Sequence, residues 1–254
     1  MHNLGQTRST NRRDHLLHTP DTFVRTPLPG LTRGLAIVHI APCIGAAFTH
    51  MTIEFDSGGT LIQGATQRFL YILEGELKLD EPGKAIPHTL TPGGYAYFPT
   101  GYPHTLTAIT ASRVVVIDKP FLPLDPMYLD DPSASPDPWF LLGREPEVAP
   151  VALNDDPGLQ VRQLLPDSHV FDFAVNTLAY APGASLSQVE IHYMEHGLVM
   201  LEGGGVYRLG DSWYPTQTGD VIWMAPFCPQ WFGAIGKQPA KYLIYKDFNR
   251  HTLG

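Results

Sequence analysis

The chain has 254 residues, 43% of them hydrophobic, with a formal net charge of −8 and a pI of about 5.7. That acidic balance argues against a nucleic-acid partner, and no apolar run approaches membrane-spanning length. Two cysteines, Cys43 and Cys228, are too few for a disulfide framework and fit a cytoplasmic protein.

Residues 1–33 begin polar and partly basic (Arg8, Arg12, Arg13) and are then broken by Pro20, Pro27 and Pro29. They read as an irregular lead-in without a signal-peptide apolar region. Strand-like runs follow at 35–39 and 47–55. RFLYILEGELKL, residues 68–79, reads as two strands in a hairpin about Glu74-Gly75. Pro92-Gly93-Gly94 then leads to an aromatic strand at 95–98, to His104, and to a closing strand at 114–117. This is a first domain over 34–119. Residues 120–150, rich in Pro and Asp, read as a surface linker. With 24 glycines, 24 prolines and little helical periodicity, the chain is all-β.

Residues 151–254 repeat that order. LVMLEGGGVYRL answers FLYILEGELKL, with Gly203 in the place of Gly75. Thr218-Gly219-Asp220 answers Pro92-Gly93-Gly94, and Gln230 follows Gly219 by 11 residues as His104 follows Gly93. The period of about 127 residues is too long for a solenoid. It indicates a duplicated domain, each copy a double-sheet jelly-roll barrel.

The chemistry concentrates in residues 182–207. Glu190 and His192 are two apart, which on a strand places both side chains on one face. His196 follows before the glycine turn. Two imidazoles and a carboxylate converging in a small barrel suit a hard-to-borderline divalent metal. His192 to His196 also spells H-x-x-E-H, an inverted zinc-peptidase signature that needs a helix. Pro182-Gly183 before it and Gly197 after it argue against one.

The arrangement resembles a bicupin, a tandem pair of cupin barrels. Against the usual cupin ligands, three His and a Glu, the second half places Glu190, His192, His196 and Gln230. The first half places Ile62, Gly64, Arg68 and His104, so no metal is expected there. That ligand set, with LEGGGVYRL, GDVIWM and YLIYKDFNR, resembles the (S)-ureidoglycine aminohydrolase family of allantoin degradation. The resemblance implies hydrolysis of a small ureido acid at a C–N bond, Mn2+ held by Glu190, His192, His196 and Gln230, and a homo-oligomer. It also implies a pocket lined by Tyr207, Tyr242 and Lys246, with Lys246 on the substrate carboxylate and Glu190 moving the proton. Cys228 is expected to be a buried structural thiol, and Glu195 a turn residue. Two rival functions are an Fe2+-dependent cupin oxygenase and a non-catalytic storage bicupin.

Overall fold

In the computed structural model the described residues are 6–124, 137–248 and 250, so part of the expected linker, 125–136, lies outside them. Strands dominate, and the chain divides into two compact units. One is Val24–Glu147; the other joins Met1–Phe23 to Val148–Gly254.

The first unit is built on the 14-residue strand Thr49–Ile62, which pairs antiparallel with Leu31–Ile40, Ser112–Lys119 and Thr105–Ala108. Its sheet curls around a core that includes Ile53, Phe55, Leu70, Phe98 and Val114. The expected hairpin at Gly75 is not one. Gln67–Glu74 lies between Ser112–Lys119 and Gly94–Phe98, whereas Leu77–Asp80 lies between His88–Leu90 and Thr105–Ala108. Gly75 is therefore a corner where the chain changes partners. Its φ of +81° favours glycine, and a Cβ there would sit 2.3 Å from the Ala111 carbonyl oxygen. Gly203 has φ +65°, and a Cβ on it would lie 2.2 Å from the Pro239 oxygen. The repeat read from the letters is a repeat of backbone geometry.

The second unit has an eight-stranded antiparallel sheet. Its order is Thr10–Asn11, His15–His18, Val221–Met224, His196–Glu202, Ala240–Lys246, Ala174–Tyr180, Asp156–Gln163 and Val151–Leu153. A three-stranded sheet of Ser212–Gln217, Gly204–Leu209 and Gln230–Ala234 completes it. Leu198, Met200 and Ile244 from the large sheet share one core with Tyr207, Leu209 and Phe232 from the small one.

Two segments depart from the sequence reading. The lead-in is not irregular throughout: His15–His18 pairs with Val221–Met224, Leu17 is fully buried, and Arg8 donates to both carboxylate oxygens of buried Asp220 at 2.5 and 2.8 Å. Two leucines between histidines are too short a run to announce a strand. Likewise the end of the linker is structured. Leu141–Arg144 pairs with Gly94–Phe98, and buried Glu145 accepts a 2.6 Å hydrogen bond from Tyr71.

Candidate functional site

Antiparallel partners project from the same face of a sheet. His15, Met224, His196, Lys246 and Ala174 are cross-strand neighbours and form one row in the second unit. Leu17, Ile222, Leu198, Ile244 and Asn176 form the next row on that face, and its four apolar members belong to the core. His196 and Lys246 therefore face the barrel interior, as the even spacing of Tyr242, Ile244 and Lys246 requires.

Glu190 and His192 are not on a regular strand. The stretch before His196 makes only isolated bridges, from Ser185 to Gly233 and from Glu190 to Gln230. The second bridge has a hydrogen bond in each direction, at 2.8 and 2.9 Å, and fixes the Glu190 backbone against that of Gln230. His192 Nε2 comes 3.1 Å from Glu190 Oε2, and its ring centroid is 5.4 Å from that of His196. The four sequence-designated positions are thus connected pairwise, although the reason is a bridge and a contact rather than strand alternation.

Burial grades across the group. His196 and Gln230 are 2% and 4% exposed, while the side chains of Glu190 and His192 are 25% and 33% exposed. Burial, with the nearby Lys246 and His192 charges, holds the His196 pKa well below its ordinary value, so the ring is neutral and keeps a lone pair. Its Nδ1 is buried without a hydrogen-bond partner. Burial also lowers the Lys246 pKa, opposed by the Glu190 carboxylate. Tyr207 donates to Gln230 Oε1 at 3.3 Å, and Tyr242 shares a 2.7 Å hydrogen bond with Tyr180. Desolvation raises the pKa of all three tyrosines, so they remain neutral hydroxyls.

Tyr180 is not singled out by the sequence, and Glu195 is read there only as a turn residue. Tyr180 lies on the inward face of Ala174–Tyr180, and the alternation of that strand is the signal for it. Glu195, expected to be a turn residue, is a buried carboxylate that accepts a 3.0 Å hydrogen bond from Trp223 Nε1. No pattern in the letters marks that role.

A second group, Asp14, His15 and Cys228, has ligand-type atoms all within 4.8 Å of one another. Its hydrogen bonds are already made: His15 contacts Asp14 at 2.9 Å and Tyr214 at 2.8 Å through its two ring nitrogens. Burial pushes the Cys228 thiol pKa up to about 11, so Cys228 is a buried, protonated thiol.

The first unit has no counterpart to the donor set. Arg68 pairs across strands with Asp118, just as His196 pairs with Lys246. The Arg68 guanidinium is buried, donates to both Asp118 oxygens at 2.8 and 2.9 Å, and bonds the Ile62 carbonyl at 3.0 Å. His104 is stacked on Phe98 at 3.8 Å between ring centroids, and burial pushes its pKa down to about 4.

A Cupin domain family model matches residues 56–118, the half without the donor set. A probable (S)-ureidoglycine aminohydrolase of Oryza sativa subsp. japonica is 39% identical over 98% of this chain and 78% of its own length. The (S)-ureidoglycine aminohydrolase of Arabidopsis thaliana is also 39% identical, over 98% of this chain and 80% of its own. A crystal structure of a putative glyoxylate-induced protein from Pseudomonas aeruginosa superposes with a TM-score of 0.86 at 27% identity, covering 99% and 94% of the two chains. Identity of that level along nearly the whole chain, on a bicupin fold, makes this chain a member of the (S)-ureidoglycine aminohydrolase family.

Proposed function

We propose that the chain hydrolyses (S)-2-ureidoglycine to (S)-ureidoglycolate and ammonia in allantoin catabolism, using one divalent metal in the second unit. The observation that carries this reading is the 39% identity to both plant proteins over 98% of the chain. The relatives from Oryza sativa, Arabidopsis thaliana and Escherichia coli all carry the (S)-ureidoglycine aminohydrolase name, which favours hydrolysis over the oxygenase and storage readings.

Mn2+ fits the residues present. One carboxylate, one carboxamide and two imidazoles make a mixed O/N set suited to that ion. His196 is held neutral, with a ring nitrogen lacking a hydrogen-bond partner. Glu190, His192, His196 and Gln230 would hold the metal. When bound, the ion supplies positive charge that orients an anionic substrate and makes water more acidic.

The remaining work falls to side chains. Lys246 has no hydrogen bond or ion pair from its ammonium among the described residues, and it meets the substrate carboxylate. Tyr207 and Tyr242 present neutral hydroxyls to the pocket, Tyr207 beside Gln230. In the reaction the bond from the central carbon to its amine breaks and a bond to a water oxygen forms. Glu190 takes a proton from the water and delivers one to the departing amine, which leaves as ammonia.

The test is ammonia release from freshly prepared ureidoglycine. Release should stop on treatment with a chelator and return when Mn2+ is restored. Absence of release from the metal-loaded protein would defeat the reading. We extend the proposal to a cytoplasmic homo-oligomer, which light scattering on the purified protein and fractionation of cells would examine.

A further inference from the structure

A cavity of about 170 Å3 opens beside Lys246 in the second unit, lined also by Gln163, Ser168, Ala174, Asn176 and Phe173. Two of its polar groups lack partners. The Lys246 ammonium is one; the other is Asn176, whose Oδ1 is buried without a hydrogen bond. Asn176 sits between polar and apolar neighbours: across one strand it faces Gln163, which also lines the cavity, and across the other it faces the core residue Ile244. A buried carbonyl oxygen left without a hydrogen bond is destabilising, so packing alone does not account for it.

We propose that Asn176 is a substrate-binding residue that pairs with the ureido end of the substrate, making this cavity the ureido subsite. The inference rests on the reaction proposed above. A carboxamide and a terminal ureido group are complementary: the amide oxygen accepts an N–H while the amide N–H2 donates to the ureido oxygen. The terminal torsion of Asn is broad and nearly two-fold, so the side chain turns to present either edge at low cost. Lys246, in the adjoining row, lines the cavity and is the direct cross-strand neighbour of His196. Lys246 therefore links the donor set, through His196, to the cavity. A small acid carrying both a carboxylate and a ureido group satisfies Lys246 and Asn176 together. Such a contact also explains how a ureido acid is told from other amino-substituted acids, because a site built to hydrogen-bond an N–H rejects a ligand that lacks it.

Two unreactive probes read this contact directly by calorimetry on the metal-loaded protein. N-carbamoylglycine has the ureido group; N-acetylglycine replaces its terminal N–H2 with methyl. The wild-type protein should prefer the first by about three- to tenfold, the worth of a neutral hydrogen bond. In Asn176→Leu the preference should fall to about one, with melting temperature unchanged or higher because an unpaired oxygen has been removed. Asn176→Ala gives the same reading of preference should the leucine variant not fold. A preference retained in either variant, no preference in the wild type, or no binding of either probe overturns the assignment. Because binding is measured without turnover, failure here is separate from failure to release ammonia.

Discussion

The position occupied by His196 in the second unit is occupied by Arg68 in the first, and in the proposed function this difference decides which unit does chemistry. Each lies seven residues before its corner glycine, Gly75 or Gly203, and each faces a strand partner, Asp118 or Lys246. In the first unit a fixed guanidinium supplies the positive charge and Asp118 neutralises it, which is a finished ion pair. In the second unit the imidazole is neutral and the facing Lys246 makes no direct ion pair among the described residues, a pairing suited to the proposed metal and anionic substrate. Lys246→Met keeps the stem and removes the charge. It should bind metal, fold, and lose roughly ten- to a hundredfold in kcat/KM, the worth of a charge-assisted contact; wild-type efficiency would mean that the lysine does not meet the substrate. His104→Ala should leave kcat/KM near wild type, because that ring is stacked on Phe98 in the first unit; a loss matching that of His192→Ala would contradict this. The equivalent positions of Arg68 and His196 were legible because the repeat could be aligned letter by letter. The surroundings of Glu195 and Asn176 were not, because they are made across strands: a Trp223 N–H for one, Gln163 and Ile244 for the other.

Among the elements, the strand His15–His18 was the least legible. It gives the second unit an additional strand from the far end of the chain, and Arg8 just before it fastens to Asp220, which is wholly buried. Such a link cannot be seen as a local pattern, since its partner is 212 residues away. Hydrogen bonds to a charged group are worth about 1.5–3 kcal/mol each way of counting, so Arg8→Ala should destabilise the protein by roughly that amount. Chemical denaturation of the purified variant measures it, and a midpoint equal to wild type would show that the N-terminal strand is ornamental. The corners at Gly75 and Gly203 were legible as turns but not as changes of partner. A Glu-Gly or Glu-Gly-Gly sequence marks positive φ equally well in a hairpin and at a sheet corner.

At the scale of the whole molecule, duplication and barrel class could be read from sequence because turn glycines and apolar runs recur in the same order. The extent of each unit could not, because strands from residues 10–18 and 141–144 join sheets whose other members are distant in the chain. The first unit also carries an acid sensitivity. Desolvation pushes the pKa of His50 down to about 3 and that of His104 to about 4, and His39 lies 5.7 Å from His50 between ring centroids. The unfolded chain takes up these protons near pH 6.5, above the folded values, so stability is full above that pH and falls as pH drops toward about 4. Thermal melting should show this slope, and His50→Phe should flatten it; identical slopes would remove His50 as a cause. The central claim, that one unit alone holds the metal, is tested most directly by metal analysis of the purified protein loaded with Mn2+. The account predicts one ion per chain, lost in the double variant His192→Ala, His196→Ala while the fold persists. Two ions per chain, or one retained by the double variant, would contradict it.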